Sequence, residues 1–203
     1  MSQATHKTAE PTPRPASAML NWPNILTYGR IVAVPVVVGL VMYGGDNSRW
    51  LALGIFILAG ISDFFDGYLA RLWQMQSSLG RMLDPIADKL LVSAVLLVLA
   101  GDGTLTGLNL WAAIIILCRE ILVSGLREFL AELRVSVPVT RLAKYKTAVQ
   151  LTAIGFLIAG PAGDKVVPYT TYIGIAGLWV AAVLTLYTGF DYFRAGIGHL
   201  RQE

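Results

Sequence analysis

Six stretches of this chain are apolar and long enough to cross a lipid bilayer, and no other feature restricts its fold so strongly. They cover roughly residues 24–43, 50–71, 82–101, 109–131, 142–161 and 168–190. A bilayer core about 30 Å thick needs about 20 helical residues at about 1.5 Å each. Inside that core each backbone polar group must be satisfied within the protein, so apolar runs of this length are read as helices. Composition agrees, with 55% hydrophobic and 14% charged residues in a chain of 203. The sequence predicts an all-α integral membrane protein with six transmembrane helices. Glycine, proline, Asp and Asn mark the breaks, as in Gly44-Gly45-Asp46-Asn47, Gly101-Asp102-Gly103 and Gly160-Pro161-Ala162-Gly163.

Orientation follows from the basic residues. The first, third and fifth connections hold only Arg49 and Lys165, whereas the tails and the other connections with their flanks hold most of the remaining cations. By the positive-inside rule both termini face the cytoplasm. The net charge of +3 is then membrane asymmetry, and no aromatic and basic stripe argues for nucleic acid. Residues 1–20, rich in Pro, Ala, Thr and Ser, are expected to be a disordered tail rather than a cleaved targeting segment. Residues 21–195 form the six-helix domain and 196–203 a cytoplasmic tail. The single cysteine, Cys118, excludes a disulfide framework and is expected to be packed as a small hydrophobe. His6 and His199 have no neighbouring ligand-type cluster, so no histidine metal site is expected. Internal repeats of the kind found in transporters are not evident.

Against this background the stretch from Ile61 to Val92 stands out, because it carries Asp63, Asp66, Asp84 and Asp88. On the expected topology the second helix runs toward the cytoplasm and the third runs back, so all four carboxylates fall at similar depth near the cytoplasmic side. Asp63 and Asp66 are i,i+3 and Asp84 and Asp88 are i,i+4, so each pair shares a helix face. One Asp in the middle of a spanning helix costs roughly 2.5–3.5 kcal/mol, so four of them require positive charge between them. Oxygen ligands without imidazole or thiolate suit Mg²⁺, Mn²⁺ or Ca²⁺, and four acids are enough for two divalent ions, the arrangement that clamps phosphoryl groups. Gly67 and Ala70 leave backbone open to a bulky ligand and Gly80 can open the turn between helices, although small residues also serve as helix contacts. Asp84 before Pro85 also fits a helix start, and Arg71 is either a snorkelling interfacial cation or a phosphate ligand.

The pattern Asp63-x2-Asp66-Gly67-x2-Ala70-Arg71-x8-Gly80-x3-Asp84-x3-Asp88 resembles the signature of the CDP-alcohol phosphotransferases, with the right gaps throughout. The resemblance implies a six-helix membrane enzyme, usually a homodimer, that cleaves a CDP-linked donor at its pyrophosphate and passes the phosphoryl-alcohol group to an acceptor hydroxyl, releasing CMP. It assigns Asp63, Asp66 and Asp84 as metal ligands for two divalent cations, Mg²⁺ or Mn²⁺, and Asp88 as ligand and general base. Asp66, Gly67, Ala70, Arg71 and Gly80 would line the CDP site, with Asn24 and Thr27 either touching donor phosphates or capping the first helix.

Further segments resemble the bacterial phosphatidylglycerophosphate synthases within that family: "NWPNILTYGRI" from Asn21, "CREILVSGLREFL" from Cys118 and "KYKTAVQ" from Lys144. This implies CDP-diacylglycerol as donor and sn-glycerol 3-phosphate as acceptor, in a bacterial inner membrane with the site facing the cytoplasm. Arg119 lies roughly 15 Å into the fourth helix, where it needs a partner. That partner is either a carboxylate such as Glu120 or the acceptor phosphate, the latter aided by Arg127, Lys144 and Lys146, each of which singly also fits an ordinary cytoplasmic positive-inside charge. Glu120, Glu128 and Glu132 are expected to orient these cations. Rival readings are a synthase for another acceptor, such as inositol phosphate, serine or phosphatidylglycerol, and a divalent-cation transporter using the four aspartates as a transit site.

Overall fold

A computed structural model of the chain describes residues 22–73, 78–133 and 141–200. Within these, the side chains of 22–24, 63–73, 78–81, 84, 132, 141, 143, 191–192 and 195–200 lie outside the described set. The described residues form α1 (Trp22–Tyr43), α2 (Asp46–Trp73), α3 (Ser78–Gly101), α4 (Asn109–Glu132), α5 (Arg141–Asp164) and α6 (Thr170–Leu200), and no strand occurs among them. Ile25–Tyr43, Asn109–Ala131 and Thr170–Phe190 are long and apolar enough to cross a membrane by length and composition.

Three boundaries depart from expectation. α3 starts at Ser78, so Asp84 and Pro85 sit inside the helix and the cap reading of Asp84 fails. Gly80 falls in the first turn of α3 rather than in the connection. Pro85 is tolerated although it offers no N–H to the carbonyl four residues earlier. Thr27, five residues into α1 and buried, does not cap that helix either. α6 continues to Leu200, into the segment assigned to the carboxy-terminal tail.

α1 packs on α2 and α3, α5 on α6 and α2, and α4 on α6, with α3 touching both α4 and α5. Val37, Phe56, Val95, Leu99, Ile116, Ile154, Leu157 and Leu178 fill the core. Lipid tails are as apolar as leucine, so helices associate through close packing rather than exclusion from water. The α5–α6 seam shows this, since a Cβ on Gly174 would lie 2.8 Å from Leu157 Cγ and one on Gly177 would lie 3.0 Å from Ala153 Cβ. Ile57, Leu58, Leu97, Ile121 and Val183 are exposed on the outside of the bundle. Cys118 is exposed on the bundle surface rather than packed inside; an apolar exterior accommodates a thiol as readily as an apolar core.

One end of the bundle gathers the α1–α2, α3–α4 and α5–α6 connections. The guanidinium of Arg49 forms an ion pair with Asp102, donates to Thr104 Oγ1 at 3.1 Å and reaches the carbonyl oxygens of Ile158 at 3.2 Å and Leu157 at 3.4 Å. Those carbonyls are exposed by a break in α5, where Gly160 takes φ 42° and ψ −124° before Pro161, which has no N–H. The glycine–proline pair expected to separate two helices therefore bends one. Lys165 pairs with Asp46 at 2.6 Å, so both cations at this end are matched by acids. Asp164 accepts from the N–H and hydroxyl of Thr171 in the first turn of α6, and these bonds, the hydroxyl's foremost, hold its carboxyl below the usual range. That contribution is present above the ordinary Asp pKa and fades as pH falls through the lowered one.

A Cβ on Gly160 would meet Arg49 Nη1 at 2.6 Å, in a conformation that L-residues rarely adopt. Gly160→Ala is therefore expected to destabilise the protein by about 1–3 kcal/mol. Gly155→Ala, whose new Cβ would sit at an ordinary 3.4 Å from Leu53, is the control. Equal unfolding temperatures for the two variants in detergent would contradict this account of the bend.

Candidate active site

The opposite half of the bundle holds the polar cluster. Asp88 lies ten residues into α3 from Ser78, roughly 15 Å along the axis. Glu120 projects from the middle of α4 and Lys146 from the second turn of α5. A small cavity of ≈20 Å³ lies among Asp88, Lys89, Glu120, Lys146 and Gln150, room for about one water-sized group. A second cavity of ≈280 Å³ adjoins it between α3 and α4, bordered by Lys89, Arg119, Glu120, Ser124, Arg127 and Glu128. Lys89 and Glu120 belong to both.

Glu120 organises the cations, because its Oε1 accepts from Lys146 Nζ and stands 3.4 Å from Arg119 Nη1. Lys146 is 4% exposed, and burial of its ammonium is made tolerable by that carboxylate. Arg119 turns toward α6 for its other bonds, donating from Nε to the Thr185 carbonyl at 3.1 Å and from Nη2 to Thr188 Oγ1 at 2.9 Å. Gly189 makes room for this crossing, since a Cβ there would lie 3.2 Å from Arg119 Cγ. Arg119 thus touches both partners' sides: it has its carboxylate, it ties α4 to α6, and it borders the larger cavity. Arg127 is exposed at the rim of that cavity, and Lys144 is exposed on α5 and lines neither cavity.

Asp63, Asp66, Gly67, Ala70 and Arg71 lie along α2, and Gly80 and Asp84 in the first turns of α3, but their side chains are outside the described residues. Asn24, in the first turn of α1, is likewise outside, as is the side chain of Glu132. Thr27 is buried one turn before Arg30, which is also buried. An apolar groove of ≈750 Å³ runs between α2 and α5 from Trp50 to Ile61, two residues short of Asp63, and Leu151 borders both this groove and the Asp88 cavity.

Three residues at the site escaped sequence reasoning. Lys89 donates to Ser124 Oγ, a neutral partner, and makes no ion pair among the described residues. Ser124 in turn stands 3.4 Å from Glu128 Oε1. Gln150 is buried one turn beyond Lys146 on the same face of α5. Lys89 follows Asp88 directly, where the sequence does not separate it from a flanking charge, and nothing in the sequence separates Gln150 from a polar residue at a helix contact.

Partly buried acids and cations converge between α3, α4 and α5 of an apolar helical bundle, and residues 20–187 match the CDP-alcohol phosphatidyltransferase family. The chain belongs to that family. A protein of Rickettsia typhi is 47% identical over 177 residues, covering 87% of this chain and 97% of its own length. One of Cereibacter sphaeroides is 40% identical over 91% of this chain and 100% of its own, and one of Sodalis glossinidius 41% identical over 87% and 94%. All three bear the name CDP-diacylglycerol–glycerol-3-phosphate 3-phosphatidyltransferase.

Proposed function

We infer that this chain transfers the phosphatidyl group of CDP-diacylglycerol to the primary hydroxyl of sn-glycerol 3-phosphate, giving phosphatidylglycerophosphate and CMP. The observation that carries the chemistry is Asp88, half-buried beside a cavity whose far side holds Lys146 and Glu120. The acceptor is carried by the relatives, which share the name of this activity over most of both chains.

In this reading the acceptor hydroxyl gives its proton to Asp88 while its oxygen attacks the phosphorus that bears diacylglycerol. The pyrophosphate P–O bond breaks and CMP leaves with the electron pair. A carboxylate within hydrogen-bond reach of the hydroxyl is the geometry general-base catalysis needs. The acceptor phosphate occupies the ≈280 Å³ cavity, where Lys89, Arg127 and the edge of Arg119 supply positive charge and Glu120 keeps Arg119 and Lys146 oriented. Lys144 acts at longer range from the surface. Asn24, Thr27, Gly67, Ala70, Arg71 and Gly80 receive the CDP moiety, and the groove between α2 and α5 takes the diacylglycerol side of the donor.

The donor set suits a divalent metal by its chemistry, carboxylate oxygens without imidazole or thiolate, with Asp84 inside α3 one helical turn before Asp88. Asp63, Asp66, Asp84 and Asp88 would hold two Mg²⁺ or Mn²⁺ ions, whose contribution is to neutralise charge on the pyrophosphate and on departing CMP. Chelation with EDTA should abolish CMP release and either Mg²⁺ or Mn²⁺ should restore it. Full activity in EDTA would reject the metal assignment.

All six helices, 22 to 31 residues long, are taken to span the bacterial inner membrane with both termini and the site on the cytoplasmic side. Supporting this, the end gathering the odd-numbered connections sets Asp46, Asp102 and Asp164 against only Arg49 and Lys165, a net negative face that belongs outside. Homodimeric assembly follows from the family resemblance. An acceptor panel tests the function: with CDP-diacylglycerol, CMP release should depend on glycerol 3-phosphate and not on inositol phosphate, serine or phosphatidylglycerol. Preference for one of the other three would replace the acceptor while leaving the donor chemistry in place.

A further inference from the structure

The Gln150 side chain poses a problem that the reaction above does not solve. It is 3% exposed, its Oε1 is buried without a hydrogen-bond partner, and among the described residues neither end of the amide is hydrogen-bonded. Exchanging the oxygen and nitrogen of the amide would therefore not remove the deficit. A buried, unsatisfied amide is destabilising, and an apolar side chain of the same size would serve packing better. A residue kept under that handicap is accounted for by a group that arrives to bond it.

Its position says which group. Gln150 lies one turn beyond Lys146, so both reach into the ≈20 Å³ space that Asp88 borders from α3. On the other side of Lys89 begins the ≈280 Å³ cavity with the cations for phosphate. An acceptor whose primary hydroxyl meets Asp88 and whose phosphate lies in the larger cavity has its middle carbon at the junction. The small space admits one hydroxyl-sized substituent, and of the neutral polar side chains that line it, Ser93, Thr147 and Gln150, Gln150 is the buried one and the one with an unbonded oxygen.

We propose that Gln150 is a specificity-determining residue that hydrogen-bonds the secondary hydroxyl of the acceptor, so that the site reads a vicinal hydroxyl as well as a phosphate. This deepens the proposed function and rests on glycerol 3-phosphate being the acceptor. Sites that bond a substrate hydroxyl discriminate strongly against the analogue without it, because their own polar group is then left buried and unpaired.

The experiment compares glycerol 3-phosphate with 3-hydroxypropyl phosphate, which has the same length and charge but no secondary hydroxyl, in the full-length protein and in Gln150→Met. The native protein should prefer glycerol 3-phosphate by about 10- to 100-fold in kcat/KM, a loss set by leaving one buried polar group unpaired. Gln150→Met should use both acceptors equally, by losing activity toward glycerol 3-phosphate and not toward the analogue. Its unfolding temperature should match or exceed that of the native protein, because no native bond is removed. Gln150→Asn, which withdraws the amide by one methylene, should also lose the preference. A preference retained in both variants, or absent from the native protein, overturns the assignment of Gln150. No transfer by the native protein to either phosphate ester overturns the acceptor reading itself, a different failure.

Discussion

Replacing Asp88 by asparagine is expected to lower CMP release by about a thousandfold or more, while leaving the amount of folded protein in detergent unchanged. Asparagine keeps the shape of the side chain and loses its basicity and charge. General-base catalysis alone contributes about 10²–10⁴-fold, and loss of a metal-ligating carboxylate adds to that. Folding is expected to survive because Asp88 is half-buried beside a cavity rather than part of the close-packed core. Activity in the variant above about a tenth of the native rate would remove Asp88 from the base role, since that falls short of the lowest expected contribution.

The second large effect concerns stability and lies at the other end of the bundle. Arg49→Ala strips partners from the Asp102 carboxylate, from Thr104 and from the Leu157 and Ile158 carbonyls laid bare by the bend at Gly160. Removing one member of a buried ion pair commonly costs about 3–5 kcal/mol, and the value here should lie near the lower figure because the pair stands at the end of the bundle. The check is chemical unfolding in detergent, with transferase activity of the folded fraction expected to stay near native. Lys165→Ala, which removes an exposed pair with Asp46, should change stability by less than about 1 kcal/mol. Similar losses from both substitutions would show that Arg49 is an ordinary surface cation.

Six helices were legible in the sequence because apolar length is a strong signal when the solvent is lipid, and the turn residues between them marked the breaks to within a few positions. The errors came where a local cue competed with helix continuity. Asp84-Pro85 reads as a helix start, yet the chain continues back to Ser78, since one lost N–H is a small defect in a long helix. Gly160-Pro161 reads as a stop, yet Arg49 satisfies the exposed carbonyls from another helix and the chain bends instead. Such compensation comes from residues more than a hundred positions away and leaves no local trace.

At the site, charge at membrane depth was the readable signal. It singled out the aspartates and Arg119, because each is costly in lipid without a purpose, while Arg127, Lys144 and Lys146 entered as helpers of Arg119 in segments that resemble the subfamily. It could not rank them. That Lys146 is buried against Glu120, that Lys144 is exposed, and that Arg119 divides its bonds between Glu120 and α6 depend on helix rotation. Lys89 and Gln150 were not legible: the first stands next to a stronger signal, and the second carries no charge.

The central claim is a transfer of phosphatidyl groups to glycerol 3-phosphate, and its most direct test follows the label. Purified protein is incubated with CDP-diacylglycerol, Mg²⁺ and radiolabelled sn-glycerol 3-phosphate, and the organic phase is counted against released CMP. The expected result is label entering the lipid fraction in one-to-one proportion with CMP, as phosphatidylglycerophosphate. CMP release with the label left in the aqueous phase would contradict it.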